Sequence, residues 1–272
     1  MGIRQVRVRD LPDELIDEFS AKIAPYSVAI TRLEENDPRL FGSAVLAQHR
    51  GIHGLLTARH VIEVIRREPR FCLVLRAGSH RFAVELDHTT ILKSETGLSE
   101  DSGPDIGFVC LPDYSLGQIR ASNSFVSLEK HRERAASLDP STGLWCLLGC
   151  PDERSSTNSI PGRIELTAFG LACVGPPPEN HEDGEDFDYY EMIAQYSDSN
   201  DLPNSFGGVS GGGVWQARAE GCNGVYTIRE VVLRGVAFHE SRRLGNIRAI
   251  RCHGSKSLYH WLLRKIESEC GA

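Results

Sequence analysis

Three short segments hold the residue types of an activated hydroxyl. Gly208-Val209-Ser210-Gly211-Gly212-Gly213 sets one serine among glycines. Glycine permits backbone conformations that other residues resist and lets another chain approach closely. A serine in such a bend is presented outward, with backbone N–H groups turned toward the same point. That pairs a nucleophile with an anion-stabilising pocket. A serine hydroxyl is a weak nucleophile at neutral pH and needs a base within hydrogen-bond reach. His60 follows the apolar, strand-like run Gly54-Leu55-Leu56-Thr57-Ala58 and supplies a base. Asp105 stands before the apolar run Ile106-Gly107-Phe108-Val109, which would anchor it under an imidazole. Asp87, beside His88, and Asp101 are its competitors and lack such an anchor. Each residue alone has an ordinary reading: a surface histidine, a turn aspartate after Pro104, a flexible glycine turn. They are far apart in sequence, and only the fold can bring them together.

Taken in chain order, Thr57-Ala58-Arg59-His60, Asp105-Ile106-Gly107 and Gly208-Val209-Ser210-Gly211-Gly212 resemble the motifs of the trypsin-like (chymotrypsin-fold) serine peptidases. The resemblance spans roughly residues 27 to 254, and three motifs in family order are far more specific than one. It implies His60 as general base, Asp105 as the group that orients it, and Ser210 as nucleophile. It implies an oxyanion hole from the N–H groups of Gly208 and Ser210. It puts Asn204 at the base of the substrate side-chain pocket and Phe238, His239 and Glu240 along its wall or rim. Asn204 is neutral, so no charge there supports a strict preference for Arg or Lys. Glu240 stands where small residues admit large side chains. It either narrows the pocket or offers a negative charge to a basic side chain, and the sequence leaves both open. Phe238 as core, with His239 and Glu240 on an exposed loop, is the plainer alternative.

The chain departs from the family in four places, one of them Arg59, beside His60, where a small residue is usual. Val61 follows the histidine where secreted members carry cysteine. Val209 replaces the aspartate that pairs with a new N-terminal amine after zymogen cleavage, so that activation switch is expected to be missing. Gly213 replaces a usual proline, which is expected to loosen the turn after the serine. The pattern looks closer to bacterial intracellular members than to secreted digestive enzymes.

Composition agrees with a globular protein: 272 residues, 40% hydrophobic and 25% charged. With 37 acidic against 30 basic residues and a formal charge of −7, a nucleic-acid partner is disfavoured. No apolar run reaches membrane-spanning length, and the charged segment Met1–Asp10 lacks a signal core. The eight cysteines sit mostly in apolar runs without Cys-x-x-Cys pairing, which reads as buried thiols rather than disulfides or a metal site. The expectation is a cytoplasmic protein with no membrane partner, no metal and no cofactor.

Several elements must position the three polar groups. Leu11, Leu15, Ile16, Phe19 and Ile23 form a helical stripe over residues 10–24, closed by Pro25, with Asp10 or Asp13 as cap. This helix is expected on the outside of the first barrel. Strand-like runs separated by turn residues follow at 27–32, 41–49, 53–58, 71–76, 80–86 and 105–111. A second set runs at 144–149, 163–174, 189–196, 212–217, 230–239 and 247–252. Many short strands with Gly, Pro, Asp and Ser between them indicate an all-β protein. With the resemblance, this gives an N-terminal helical extension (1–26), a first six-stranded antiparallel barrel (27–115), a linker (116–140), a second barrel (141–254) and a C-terminal helix (255–272). Leu258, Trp261, Leu262 and Ile266 give that last helix one apolar face. Residues 175–188, Pro-rich and then acidic, read as a surface loop that would attract basic substrates if it acts at all.

The expected function is a serine endopeptidase acting on a protein or peptide substrate, with a regulatory protein partner as a candidate gate. A non-catalytic peptide-binding module on the same fold is the alternative, against which the intact His60, Asp105 and Ser210 weigh. An acyl hydrolase of the nucleophile-elbow type fits Gly-x-Ser-x-Gly by letter only. Strand-like residues follow Ser210, and that fold places its histidine last.

Overall fold

The computed structural model describes residues 11–34, 37–67, 71–77, 80–86, 91–92, 104–157, 164–174, 180–183, 187–197, 202–222 and 225–270. Strands dominate, in two antiparallel systems. The first holds β1 (Ser27–Glu34), β2 (Asp37–His49), β3 (Ile52–Thr57), β4 (Phe71–Ala77), β5 (His80–Leu86), β6 (Ile91–Leu92), β7 (Gly107–Cys110) and β8 (Val126–Ser127). Its order is β5-β4-β1-β2-β3-β7-β6, with β8 lying parallel beside β2. Setting aside the two-residue β6 and β8 leaves the expected six strands.

The second system holds β9 (Leu144–Gly149), β10 (Ser155–Thr157), β11 (Ile164–Leu166), β12 (Phe169–Val174), β13 (Asn180–Asp183), β14 (Phe187–Gln195), β15 (Gly213–Cys222), β16 (Val225–Glu240) and β17 (Ile247–His253). Its order is β12-β9-β15-β16-β17-β14-β13, while β10 and β11 pair only with each other. β13 extends the edge beyond six strands. Each half encloses an apolar cluster: Ile30, Leu46, Leu55, Ile62 and Leu73 in the first, Trp145, Leu147, Met192, Val214 and Ile250 in the second. The fold is all-β, two antiparallel barrels with helices at both ends.

The helices are α1 (Asp13–Ile23), α2 (Arg59–Arg67), α3 (Asp113–Arg120), α4 (Leu128–Ser137) and α5 (Leu263–Cys270), the last continuing a π-helical turn over Ser257–Leu262. Leu15, Phe19 and Ile23 are buried as the stripe required, but not on the outside of the first barrel. They join a cluster with Val45, Trp215, Leu233 and Leu258 that lies between the halves. Glu18 accepts the N–H of Ile228 at 3.0 Å and fixes the helix against β16. Pro12, not an aspartate, holds the cap position, and no side chain caps the helix; Asp10 lies outside the described residues. The 116–140 linker is not irregular, since most of α3 and all of α4 lie within it. Ser127 starts α4 by accepting the Lys130 N–H.

The 175–188 segment is only partly a loop. β13 lies within it and pairs with β14 from Asn180↔Tyr190 to Asp183↔Phe187; residues 175–179 and 184–186 lie outside the described residues. An edge strand tolerates acidic residues that composition alone assigns to solvent. Cys72, Cys146, Cys150 and Cys252 are buried thiols, and Cys110 lies 3.4 Å from Cys270, Sγ to Sγ, also reduced. Among the described residues no helix is long and apolar enough to cross a membrane.

One buried cation ties the linker to the second sheet. Arg234 is 3% exposed. Its guanidinium donates to Gln216 Oε1 at 2.7 Å, to the Ala135 carbonyl at 2.9 Å and to the Leu138 carbonyl. Those acceptors replace the water it loses.

Two buried histidines make the fold acid-labile. His131 Nδ1 accepts the Leu233 N–H at 2.9 Å, which a protonated ring nitrogen could not do. Burial pushes its pKa from 6.5 down to about 4, and Arg134 acts the same way. Burial also pushes His253 down to about 4, against the pull of the Asp105 charge. Between those values the unfolded chain holds a proton on each ring that the folded chain lacks. Stability therefore falls as pH drops through that window. The loss is on the order of 3 kcal/mol per ring at its lower end. Urea unfolding from pH 7 to pH 4 measures it. His131→Gln, whose amide oxygen can still accept the N–H, should flatten the slope by about one proton; an unchanged slope would rule out His131 as a source.

Candidate active site

Strand register brings the first pair together. β3 and β7 run antiparallel with Thr57 opposite Gly107. The residues just past the end of β3 therefore lie beside those just before β7. His60 sits in the first turn of α2, where the Ala58 carbonyl accepts the N–H groups of Val61 and Ile62. Asp105 grips it twice: Oδ1 accepts the His60 backbone N–H at 2.9 Å, and Oδ2 lies 2.6 Å from Nδ1. A carboxylate only accepts, so Nδ1 carries the ring proton and Nε2 is left with a lone pair. Burial acts to raise the Asp105 pKa. The hydrogen bonds and charge of His60 act the other way and prevail, so the carboxyl titrates below its ordinary range.

The serine loop runs from Phe206 to Gly212. Val209 anchors it: the side chain is 1% exposed and packs in the second barrel's core. An apolar anchor thus occupies the place of the family's aspartate. Peptide planarity then settles which way the loop's N–H groups point, because C=O and N–H of a trans peptide face opposite directions. The Gly207 carbonyl accepts from Asp152 N at 2.7 Å, and the Val209 carbonyl accepts from Gly212 N at 2.7 Å. The N–H groups of Gly208 and Ser210 therefore face the other way. Val209, Gly211 and Gly212 donate to Phe206, Ala237 and Val209, and Gly207 donates to Ser205 Oγ. Among the described residues, those of Gly208 and Ser210 make no hydrogen bond. Gly208 has φ +84, and a Cβ there would meet the Cys150 carbonyl at 2.7 Å. Gly213 does not loosen the turn; it opens β15, between Leu148 and Val236.

Ser43 on β2 joins the two halves of the site, and sequence reasoning missed it. Its hydroxyl donates to the Gly208 carbonyl at 2.7 Å and accepts the Cys150 N–H at 2.9 Å. Its N–H donates to the Ser210 carbonyl at 2.8 Å, and its own carbonyl accepts from Thr57 Oγ1 at 2.7 Å. The end of β3 that leads to His60 and the loop that carries Ser210 thus hang from one residue, itself 2% exposed. The available signal was a small polar residue inside an apolar strand. Ser43→Ala removes the donor to the half-buried Gly208 carbonyl and the hydroxyl that accepts the Cys150 N–H. We expect a loss of about 2–3 kcal/mol, read as a lower urea midpoint at unchanged slope.

His60, Asp105 and Ser210 line one cleft of about 430 Å³ with Phe206, Ala237, Phe238 and Glu240. His239 and Gly207 also line it. Phe238 packs against the first barrel's cluster and stacks on His253 with ring centroids 4.3 Å apart. Asn204 is not brought to the cleft: it is exposed, and its amide donates to Glu153 Oε1 at 3.0 Å. The family spacing puts it at the pocket base, but Glu153, on the neighbouring loop, captures it. Another cavity, of about 420 Å³, is lined by residues of α1, β1 and Cys150, with no histidine among them. In chemical terms the cleft presents a hydroxyl and an imidazole held by a carboxylate, beside a loop with two N–H groups that make no hydrogen bond among the described residues.

No family model matches this chain, and no curated protein matches it. Among solved structures it is similar to the Drosophila Grass clip serine protease of the Toll pathway. The TM-score is 0.51 at 14% identity, over 90% of this chain and 69% of that one. It also matches the active form of the Rv3671c protease from M. tuberculosis, with a TM-score of 0.47 and 15% identity over 96% of this chain and 88% of that one. The first of these likenesses, with the two antiparallel barrels, shows that the chain has the chymotrypsin-like double-barrel fold of the serine proteases.

Proposed function

We propose that this protein is a serine endopeptidase that hydrolyses peptide bonds of a protein substrate through an acyl-enzyme. The observation that carries the reading is the pairing of two features around one cleft. An Asp105-oriented imidazole lies on one side, and Ser210 lies on the other, in a loop whose Gly208 and Ser210 N–H groups make no hydrogen bond among the described residues. In this reading Ser210 Oγ attacks the scissile carbonyl carbon and its proton passes to His60 Nε2. The carbonyl oxygen, now carrying the charge, is held by the N–H groups of Gly208 and Ser210. The C–N bond breaks, and His60 returns the proton to the leaving amine. Water then attacks the acyl-enzyme by the same route in reverse roles. Asp105 stays ionised throughout and stabilises the imidazolium.

Labelling of the purified protein with a fluorophosphonate probe tests this. The expected result is stoichiometric modification at Ser210 that Ser210→Ala abolishes and His60→Ala slows by about 10³-fold or more. A folded protein that stays unlabelled, alone and in cell lysate, overturns the reading in favour of a non-catalytic peptide-binding module. Labelling that appears only in lysate supports the same chemistry gated by a partner protein.

A further inference from the structure

One side chain links two segments that border the cleft. Glu240 ends β16 and lines the cleft, as does Phe206, which Ser205 precedes in the chain. Glu240 Oε1 accepts from Ser205 Oγ at 3.1 Å, and Oε2 accepts the Phe206 N–H at 2.9 Å. Arg248 on β17 donates to the same Oε2 at 2.7 Å. The carboxylate is therefore held by three donors, and Arg248 balances its charge. Arg248 is itself well covered, with a side chain 14% exposed. The rest of the lining near Glu240 is apolar: Phe206, Ala237 and Ile250 are buried at 3%, 1% and 2% exposure. His239, which is exposed, and Glu153, which accepts the Ser205 N–H at 2.9 Å, are further titratable groups nearby.

We propose that the Glu240–Arg248 clamp sets the side-chain preference of this cleft, for a short, uncharged residue before the cut. A long or aromatic side chain would have to displace a carboxylate with three hydrogen bonds. A basic one would have to compete with an Arg248 already in place. Both costs fall on the substrate, whereas Ala, Ser or Val leaves the clamp closed. This rests on the serine-peptidase reading above and assigns the substrate class of that same site.

Peptidyl phosphonate diphenyl esters carrying Ala, Val, Phe or Arg at the reacting position test it. In each, Ser210 Oγ bonds to phosphorus, phenoxide leaves and the serine proton departs by way of His60. Intact mass gives the rate for each probe. We expect Ala and Val to react at least about tenfold faster than Phe and Arg. Glu240→Gly should raise the Phe rate relative to the Ala rate at least about tenfold. Arg248→Gln exposes the Glu240 charge and should raise the Arg rate, not the Phe rate. Fluorophosphonate labelling with Phe or Arg fastest in the native protein, or an unchanged ranking in Glu240→Gly, overturns the clamp alone. Absence of all labelling, fluorophosphonate included, overturns the peptidase reading and the clamp with it.

Discussion

Asp105→Asn is expected to lower the rate at Ser210 by about 10⁴-fold, the scale of that loss in the serine–histidine–aspartate template, while leaving the fold intact. The reason lies in the two bonds the carboxylate makes. Oδ1 accepts a backbone N–H that cannot change its role, at 2.9 Å, and Oδ2 faces His60 Nδ1 at 2.6 Å. Asparagine has one oxygen and one NH₂. The backbone N–H claims the oxygen, so the NH₂ faces Nδ1. Nδ1 must then accept, the ring proton moves to Nε2, and His60 turns a donor toward the cleft instead of a lone pair. The imidazole stays in position in the wrong tautomer. The measurement is the fluorophosphonate labelling rate beside peptide hydrolysis, with ring-nitrogen chemical shifts of His60 to read the tautomer. Labelling within about tenfold of the native rate would remove Asp105 from its assigned role. Because its carboxyl titrates low, the contribution of the Asp105–His60 pair to stability is fully present above the ordinary carboxylate pKa. It is lost as pH falls through the depressed value.

How far such residues can be read from sequence depends on how local their causes are. His60 and Asp105 were legible because each borders an apolar strand, and antiparallel pairing with Thr57 opposite Gly107 makes their meeting a matter of register. Ser210 was legible because four of its five nearest loop neighbours are glycines, a composition that backbone geometry alone demands. The docking site of α1 was not legible. An amphipathic stripe says that one face is covered, not by what, and Trp215 and Leu258 lie about two hundred residues or more away in the chain. The linker helices were hidden because α4 buries only Leu128 and His131, so its pattern is almost wholly polar. Asn204 was misplaced because a hydrogen bond to Glu153 outweighs a family position. The sequence leaves the role of Glu240 open because its partner Arg248 stands eight residues on, across the β16–β17 hairpin.

Gly211→Ala is expected to cost more than about 4 kcal/mol. Gly211 has φ +89, a conformation that by itself costs an L-residue about 1–2 kcal/mol. Steric contact costs more. A Cβ at this position would lie 1.8 Å from the Ser43 carbonyl oxygen and 2.1 Å from Thr57 Oγ1. The first of these is backbone and cannot swing aside. Moving it would break the bond from Thr57 Oγ1 and strain the one from Ser43 N to Ser210, which hold the end of β3 and the serine loop together. The neighbouring bond from Gly211 N to the Ala237 carbonyl, at 2.7 Å, leaves the loop no room to retreat the other way. Gly117→Ala is the control. That glycine lies inside α3 with nothing within 4 Å of its added Cβ. There the same methyl should stabilise by about 0.4–1 kcal/mol, because it restricts the unfolded chain. Urea midpoints of the two variants would thus move in opposite directions. A Gly211→Ala protein as stable as the native one would mean that the serine loop is not pinned between β2 and β16.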